Sequence, residues 1–215
     1  MNIKTYTDIL WDFNGTILDD VDAGIESVNT LLRRRGLNTV QSRQDYYKVF
    51  GFPIIDYYKR LGFDFEKEDY KTEVAPEWVK EYLINSKHST LRQGIWEILD
   101  FFKAQGLKQT IISASESDML ESQLIALGVR EYFCEIYGLD NIHAAGKNSL
   151  GLLWKERNTG AKALFIGDTE HDAAVAAEIG ADCILIEGGH SSPDALNKLG
   201  CATVKTPTDI IDLLK

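Results

Sequence analysis

Five short apolar runs, each followed by a stretch with helical spacing, constrain the fold of this chain more than any other feature. The runs cover residues 8–12, 108–113, 134–138, 162–167 and 182–188. Two of the helical stretches, 117–127 and 170–179, are followed by Gly128 and Gly180, and glycine often ends a helix. Apolar strands that alternate with helices form parallel sheets covered on both faces. The sequence therefore predicts an α/β fold built on a doubly wound parallel sheet.

The segment between the first and second runs is far longer than one crossover helix needs, which predicts an insertion. Residues 19–88 have helical spacing and many aromatic side chains, and Val21, Ile25, Val28 and Leu32 fall on one helix face. We expect a core domain of residues 1–18 plus 89–215 and a helical cap domain of residues 19–88. The aromatic side chains are expected to form the cap's own core: Tyr46, Tyr47, Phe50, Tyr57 and Tyr58.

The charge of the chain limits the classes of partner. The 215 residues carry a formal net charge of -10 and the isoelectric point is about 4.9. Nucleic acids and anionic membranes recruit basic surfaces, so neither is expected as a partner. The cluster Arg33-Arg34-Arg35 is expected to be the solvated end of a helix. An anionic substrate would need a positive field made locally by a metal, a lysine or backbone amides.

The cysteines and the apolar runs predict a cytoplasmic protein. Cys134, Cys183 and Cys201 are odd in number and lie in or near apolar segments, which favours reduced core thiols over disulfides. No apolar run approaches the ~18 residues that a membrane span needs. The sequence leaves the oligomeric state open between a monomer and a dimer.

Polar residues stand where the predicted strands end. Asp12 ends the first run, Ser113 the second, and Asp168 the fourth, with Asp172 one helical turn later and Lys147 opening a helix. Each residue alone has a simple explanation as a cap, a turn residue or a surface charge. Together they meet at one edge of the sheet, outside the carboxyl ends of the strands, where ligands of such folds bind. We expect a ligand site there.

The chemistry of these residues favours a metal and a phosphate group. Carboxylates that converge repel each other unless a hard cation lies between them, and Mg²⁺ is the usual one beside phosphate. Ser113 offers a hydroxyl, Lys147 a positive charge, and the Asn14-Gly15-Thr16 turn offers backbone amides. These groups would supply the local positive field that the acidic chain needs.

Four motifs in this order resemble those of the haloacid dehalogenase superfamily. Residues 12–16 (DFNGT) resemble its DxDGT loop, Ser113-Ala114-Ser115 its second motif, Lys147 its third and residues 167–172 (GDTEHD) its fourth. The insertion lies where the phosphoglycolate phosphatase and β-phosphoglucomutase branch carries its cap, and residues 187–192 (EGGHSS) also look like that branch. The resemblance implies a magnesium-dependent phosphatase that acts on a small phosphorylated metabolite through an aspartyl-phosphate.

The same resemblance implies the metal ligands. Asp12 would be the nucleophile and would share Mg²⁺ with the backbone carbonyl of Asn14 and with Asp168, while Asp172 would support the metal directly or through water. His171, although inside the fourth motif, is expected to point away from the metal.

Residues that would contact the phosphoryl group follow from the resemblance as well. Ser113 and Lys147 would hold the transferring group. The remaining substrate-binding positions would be Gly15, Thr16, Ala114 and Ser115.

Asn14 departs from the pattern, because the family's phosphatases carry there an aspartate that exchanges a proton with the leaving group and with water. An amide cannot do so, and general acid/base catalysis is worth roughly 10²–10⁴-fold in rate. Four alternatives stay open: a slowed phosphatase or one with an acidic leaving group; a proton from another residue such as His88, His143 or His190; a phosphate-binding or regulatory module; and a different chemistry such as phosphonate cleavage or dehalogenation.

Some of these alternatives are weaker than others. Dehalogenation needs no metal, whereas the metal motif here is complete. Phosphonate cleavage would need a cap lysine such as Lys48 or Lys59 for a Schiff base. The dipeptide Asn14-Gly15 is also prone to deamidation, which would create the missing aspartate.

A segment of the cap bears on substrate specificity, and one further position departs from the pattern of the phosphoglycolate phosphatase and β-phosphoglucomutase branch. Residues 48–63 are the expected specificity segment, with Tyr57, Lys59 and Arg60 as the side chains that would face the substrate. Arg92 stands about where close relatives often carry a proline.

Overall fold

The computed structural model of the protein describes residues 1–139 and 146–215. The strands are β1 (Asp8–Trp11), β2 (Leu18–Asp19), β3 (Thr90–Leu91), β4 (Lys108–Glu116), β5 (Glu135–Leu139), β6 (Ala163–Gly167), β7 (Asp182–Ile186) and β8 (Ala202–Val204). The helices are α1 (Val21–Arg34), α2 (Arg43–Val49), α3 (Ile54–Arg60), α4 (Ala75–Asn85), α5 (Ile95–Ala104), α6 (Ser117–Ala126), α7 (Lys147–Arg157), α8 (Glu170–Ile179), α9 (Pro193–Leu196) and α10 (Asp209–Leu214).

The main sheet in the described part of the chain has six parallel strands in the order β5-β4-β1-β6-β7-β8. The first strand lies in the middle, and later strands extend to both sides of it, as in a doubly wound sheet. The predicted fold class is thus confirmed. Because all six strands run in one direction, the residues that follow β1, β4 and β6 meet at one edge.

The predicted elements differ from the observed ones mainly at their ends. The run 182–188 is a strand only to Ile186, and the helical stretch 117–127 is a helix only to Ala126. The second strand continues past Ser113 to Glu116, with an irregular register between Ile112 and Glu116. Strands β2, β3 and β8 are too short for an apolar pattern to reveal them.

Alternate residues of the central strands pack on opposite faces of the sheet. Ile9 and Trp11 belong to a core cluster with α5 and α6, whereas Leu10 points to a second cluster with α7 and α8. All three side chains are fully buried. This burial on both faces explains why the strands read as continuous apolar runs.

The helical segment, residues 19–88, has a hydrophobic cluster of its own. The cluster includes the predicted face of α1 together with aromatic side chains such as Tyr46 and Tyr58. The chain leaves the sheet region through β2 and returns through β3, and these two strands pair with each other in antiparallel register. The division into 1–18 plus 89–215 and 19–88 therefore remains a proposal, supported by this separate core and by the paired crossing.

The cluster Arg33-Arg34-Arg35 lies at the end of α1 as expected, but its side chains are paired with acids more than they are solvated. Arg33 is about half exposed and pairs with Glu26, but the side chain of Arg35 is only 21% exposed and bridges Glu68 and Glu77. Arg34 also reaches Glu77. Ion pairs within the helical segment, rather than solvation alone, account for this cluster.

The cysteines are free, but none of them is buried: Cys134 is exposed, and Cys183 and Cys201 are partly exposed. The expectation of core thiols holds best for Cys183, which lies in β7 and packs against the core cluster of α7 and α8, whereas Cys134 is exposed. Within residues 1–139 and 146–215, no helix is long and apolar enough to cross a membrane.

Candidate active site

The turn after β1 holds Asp12 at the carboxyl-end edge of the sheet. The amide of Asp12 donates to the carbonyl of Ile166 on the neighbouring strand (2.9 Å), and the amides of Ile17 and Leu18 both donate to the carbonyl of Phe13. Gly15 has φ +75°, and any Cβ there would overlap the carboxylate of Asp168. A tight turn with a glycine at this point is therefore required for the two acids to approach each other.

Three carboxylates lie together at this edge. Oxygen atoms of Asp12, Asp168 and Asp172 lie within 4.8 Å of one another, and all three residues are buried. Lys147, only 3% exposed, donates to Oδ1 of Asp12 and to Oδ1 of Asp172. The cluster thus contains three acids and one lysine.

The electrostatics of this cluster favour a bound cation. Burial raises the pKa of Asp12; Lys147 opposes that increase, while Asp172 and Asp168 add to it. Burial also raises the pKa of Asp168. Carboxylate oxygens in a cluster with excess negative charge are the donor set that Mg²⁺ prefers. The residues present therefore fit a magnesium ion.

Asp172 has a different environment from the other two acids. Its Oδ2 accepts from the amide (2.9 Å) and hydroxyl (2.7 Å) of Thr169, in a capping box that begins α8. Burial would raise the pKa of Asp172, but Lys147 and these hydrogen bonds outweigh it and hold the pKa low. Asp172 is therefore an ionised partner that positions Lys147.

The predicted phosphate-binding residues fall into two groups. Ser113, Ala114 and Ser115 line the cavity described below together with Lys147, and the hydroxyl of Ser113 accepts from the amide of Ser115 (3.1 Å). Thr16 instead places its hydroxyl 3.0 Å from Oδ2 of Asp12 and 2.7 Å from Oδ1 of Asp168.

The amide of Gly15 donates to the carbonyl of Leu18 (3.0 Å) and to Oδ1 of Asp20 (2.7 Å). Of the residues that the structure describes, neither Gly15 nor Thr16 is part of the cavity lining. Thr16 therefore acts on the carboxylates, and the Gly15 amide is already bonded within the turn.

Asn14 has hydrogen-bond partners that explain why an amide stands there. Its Nδ2 donates to Oδ2 of Asp20 (2.7 Å) and to the hydroxyl of Tyr82 (2.7 Å), and its Oδ1 accepts from the hydroxyl of Ser115 (2.7 Å). Tyr82 in turn donates to the same oxygen of Asp20 (2.5 Å). An aspartate at position 14 would place two buried carboxylates in contact, which is costly unless they share a proton.

Asp20 was missed in the sequence because its position immediately before α1 is typical of a helix cap. It occupies the cap position, yet its side chain makes no capping bond and turns back to the loop. Tyr82 was missed because it lies 68 residues from Asn14 on a helix of the inserted segment. No spacing rule in the sequence connects such residues.

His190 connects the cluster to the helical segment. Its amide donates to Oδ2 of Asp168 (2.6 Å), its Nδ1 lies 2.8 Å from the Tyr46 hydroxyl, and its Nε2 lies 3.7 Å from Oδ1 of Asp20. Burial would lower the pKa of His190, but the adjacent carboxylate of Asp20, with the charges of Asp168 and Asp12, outweighs it and raises the pKa to about 9. Of the other candidate acids, His88 is exposed outside the cavity lining, and His143 lies outside the described residues.

Arg92 also has a defined role in the structure. Its guanidinium donates to the carbonyl of Gly15 (2.6 Å) and to the carbonyl of Glu187. It therefore ties the turn after β1 to the loop after β7. The sequence showed only that an arginine stands where relatives often carry a proline, and it gave no indication of these two contacts.

A cavity of about 440 Å³ lies between the sheet edge and the helical segment, within the ~300–1,000 Å³ range of small-molecule sites. Asp12, Asn14 and Lys147 line one side of it. The helical segment contributes an aromatic wall, defined by Tyr46, Phe50, Phe52, Tyr57, Tyr58, Tyr70, Trp78 and Tyr82. Several of these rings also belong to the cap's core, so the expectation of a core alone was incomplete.

Most of the side chains predicted to face the substrate or to form a Schiff base lie outside the described cavity lining. Tyr57 lines the cavity, but Lys59 pairs with Asp56 (3.3 Å) and Arg60 donates to the carbonyl of Val49 (2.6 Å), both at exposed positions. Lys48 pairs with Asp45 (2.8 Å), so neither lysine proposed for a Schiff base belongs to the described lining. His171 lines the cavity and stacks on Phe52 with ring centroids 4.7 Å apart.

A more open groove of about 570 Å³ lies beside the cavity, with Leu83, Met119 and Leu127 in its lining. None of the clustered acids, nor Lys147, belongs to its lining in the described part of the chain. The chemically equipped site is therefore the smaller, aromatic cavity.

Two curated proteins are similar in sequence to most or all of this chain. A curated phosphoglycolate phosphatase from Chromobacterium violaceum is 24% identical over 226 aligned positions, which cover 100% of this chain and 99% of the relative. The pyrophosphatase PpaX of Halalkalibacterium halodurans is 25% identical over 167 positions, covering 73% of this chain and 76% of the relative.

Solved structures share the fold. A haloacid dehalogenase-like family hydrolase from Streptococcus pneumoniae superposes with a TM-score of 0.81 at 19% identity, covering 98% of this chain and 99% of that one. The protein CbbY of Rhodobacter sphaeroides, solved in complex with phosphate, superposes with a TM-score of 0.71 at 17% identity, covering 95% and 96% of the two chains. The family described as "Haloacid dehalogenase-like hydrolase" matches residues 9–186. The chain therefore belongs to the haloacid dehalogenase-like hydrolase family.

Proposed function

We propose that the chain is a Mg²⁺-dependent phosphatase that hydrolyses phosphomonoesters of small molecules through an aspartyl-phosphate on Asp12. The family makes it a hydrolase, and the relatives named phosphoglycolate phosphatase and pyrophosphatase support phosphatase chemistry. The observation that carries the proposal is the buried cluster of Asp12, Asp168, Asp172 and Lys147, of which Asp12, Asp172 and Lys147 line the aromatic cavity.

In the first step, a carboxylate oxygen of Asp12 forms a bond to phosphorus while the bond to the leaving oxygen breaks. In the second step, water attacks the same phosphorus, and the bond to Asp12 breaks to release phosphate and restore the carboxylate. Splitting the displacement in this way is nucleophilic catalysis, and the protein contributes mainly by position and charge.

The surrounding groups would hold the reactants. Lys147, already bonded to Asp12, and the hydroxyls of Ser113 and Ser115 would contact the phosphoryl oxygens. Asp12, the carbonyl of Asn14 and Asp168 would hold Mg²⁺, with Asp172 supporting the site through Lys147. When bound, Mg²⁺ would reduce the repulsion between the phosphoryl group and the carboxylates.

A second function, a phosphate-binding or regulatory module, is favoured by Asn14. Its amide is bonded to Asp20, Tyr82 and Ser115 and offers no proton that it can exchange. A module of this kind would bind phosphate, or accept a phosphoryl group once, without turnover.

The two functions are separated by measuring phosphate release with and without Mg²⁺, together with intact mass after brief incubation with an aryl phosphate. We expect multiple turnovers that need Mg²⁺ and are lost in Asp12→Asn. The exposed Asp118→Asn is the control, because Asp118 lies outside the cavity lining in the described part of the chain. One phosphoryl group per chain without further release would favour the module, and an active Asp12→Asn would contradict the nucleophile.

A further inference from the structure

We propose that the substrate is an aryl phosphomonoester, in which phosphate is bonded to a phenolic oxygen of a molecule without a second anionic group. The inference rests on the proposed phosphatase function and adds to it the chemical class of the leaving group. Three independent features of the cavity carry it: the aromatic wall, the cations around the cavity, and the side chain of Asn14.

The aromatic wall offers ring faces and edges to a planar leaving group. Phe50 is central: its ring centroid lies 4.9 Å from Tyr46, 5.3 Å from Tyr57 and 5.7 Å from Phe52. In the same wall, Trp78 stacks on Tyr82 with centroids 4.8 Å apart. Rings prefer offset-stacked or edge-to-face contacts at ~4.5–7 Å, so a further ring would extend an arrangement that already exists.

The cations around the cavity already have partners, so none is available to pair with a second anionic group on the substrate. Among the described lining residues, Lys147 is the one lysine and there is no arginine, and residues 140–145 contain neither type in the sequence. Lys147 is bonded to two carboxylates, and His190 faces Asp20. A carboxylate on the leaving group would also meet Glu116, which lines the cavity.

Two arginines that contact the loops around the site are already bonded. Arg43 binds both oxygens of Asp22 (2.7 and 2.9 Å) and the carbonyl of Gly188 (3.2 Å), while Arg92 bridges two backbone carbonyls. Burying an unpaired carboxylate is expensive. The cavity therefore selects a leaving group that is neutral and ring-shaped.

The amide at position 14 also favours an aryl leaving group, because it cannot supply a proton to the leaving oxygen. The oxygens of Asp20 accept from Asn14, Gly15 and Tyr82, so no carboxylic proton is directed at a leaving group. The two ring nitrogens of His190 face Tyr46 and Asp20, so its protons are not directed there either. A phenol has a pKa of ~10, whereas an aliphatic alcohol is about as weak an acid as water, at ~15.7. An aryl oxide can depart without a proton far more readily than an alkoxide.

The reaction balances without a protein acid. Asp12 forms its bond to phosphorus, the bond from phosphorus to the aryl oxygen breaks, and the aryl oxide leaves with the electron pair and takes a proton from bulk water. Water then forms the new bond to phosphorus, gives a proton to solvent, and releases phosphate from Asp12.

The test compares kcat/KM in Mg²⁺ for phenyl, benzyl and cyclohexyl phosphate and for phosphoglycolate. Phenyl and benzyl phosphate both carry a ring, but only the first has a phenolic leaving oxygen. We expect phenyl phosphate to exceed benzyl phosphate by about 10²-fold or more, the amount that a general acid would otherwise supply. Phosphoglycolate should be the poorest of the four.

A matched double variant moves the carboxylate from position 20 to position 14. Asn14→Asp/Asp20→Asn exchanges the two side chains while keeping one carboxylate and one amide, so the pair of buried acids that Asn14→Asp alone would create is avoided. We expect the ratio of phenyl to benzyl phosphate to fall at least tenfold in this double variant.

The possible failures are distinguishable. Equal rates for phenyl and benzyl phosphate, or a preference for phosphoglycolate, would overturn the inference and leave the phosphatase intact. An unchanged ratio in a folded double variant would overturn the role of Asn14. Absence of turnover with all four esters would overturn the proposed function, and the inference with it. The wild-type comparison needs no variant, so it decides the substrate class even if the double variant does not fold.

Discussion

The two sides of the cavity are built from opposite kinds of side chain. On the sheet side, buried charges are bonded to one another, as Lys147 is to Asp12 and Asp172. On the helical side, rings pack on rings with few ionic contacts at the surface of the cavity. In the proposed reaction, the sheet side would bind the phosphoryl group that is transferred, and the helical side would bind the group that leaves.

The largest expected effect comes from removing the one lysine of the cluster. Lys147→Met should abolish activity and lower the free energy of unfolding by about 3–5 kcal/mol in metal-free buffer, because the carboxylates would be left without a counter-charge. Urea denaturation measures this loss. Lys155→Met, at an exposed position on the same helix, is the control. A variant as stable as the wild type would show that the charges on the sheet side are not coupled.

His190 touches both sides of the cavity, and its effect should depend on pH. Its pKa is about 9 in the folded chain, against ~6.5 when unfolded, so the protonated form stabilises the fold by on the order of 3 kcal/mol below pH ~6.5. This contribution should disappear as the pH rises through about 9.

The measurement compares wild type with His190→Asn by urea denaturation across this pH range in metal-free buffer. His88→Asn, at an exposed position, is the control. A stability difference that grows above pH 9 would contradict the pairing of His190 with Asp20.

Magnesium should stabilise the sheet side without acting on the aromatic wall. Since Mg²⁺ binds only the folded cluster, a concentration of 100 times its dissociation constant should add about 2.7 kcal/mol, with a rise of ~2–4 °C in Tm for each kcal/mol. Thermal unfolding with increasing MgCl₂ measures this. Asp168→Asn should lose most of the increase and Asp118→Asn should keep it; an equal increase in both would place the metal elsewhere.

The aromatic wall should affect binding of the leaving group more than the chemical step. Phe50→Leu should raise KM for phenyl phosphate about tenfold, since one ring contact is worth ~0.5–1.5 kcal/mol beyond its area, with kcat nearly unchanged. Steady-state kinetics check this, with Phe101→Leu as a control outside the described cavity lining. A fall in kcat with unchanged KM would mean that the two sides do not divide recognition.

The smallest expected effect concerns deamidation: Asn14 should not convert to aspartate in the folded protein. Deamidation requires the amide nitrogen of Gly15 to attack the Asn14 side chain, but that nitrogen donates to Leu18 and Asp20, and the side chain has three partners of its own. Intact mass of folded protein stored at neutral pH should show no aspartate at this position. Conversion at the rate of a short Asn-Gly peptide would show that the network opens.

The sequence predicted the sheet and the edge where the charges meet, because both follow from local patterns. Apolar runs identify buried parallel strands. Asp12 and Asp168 directly follow β1 and β6, and Ser113 lies in β4 where its register with β5 becomes irregular. The partners of Asn14 could not be predicted in this way. Asp20 resembles an ordinary helix cap, and Tyr82 is brought to the loop only by the packing of α1 against α4.

The paired crossing of β2 and β3 has a mechanical consequence. Because the chain enters and leaves the helical segment at one two-residue ladder, a rigid rotation about that ladder would need backbone torsions to change at only two adjacent places. Such a rotation would stretch the bond from Asn14 to Tyr82 and the bond from the Tyr47 hydroxyl to the carbonyl of Gly189. The hydrogen bond from Asn14 to Tyr82 therefore holds the helical segment to the turn after β1, and it would oppose such a rotation.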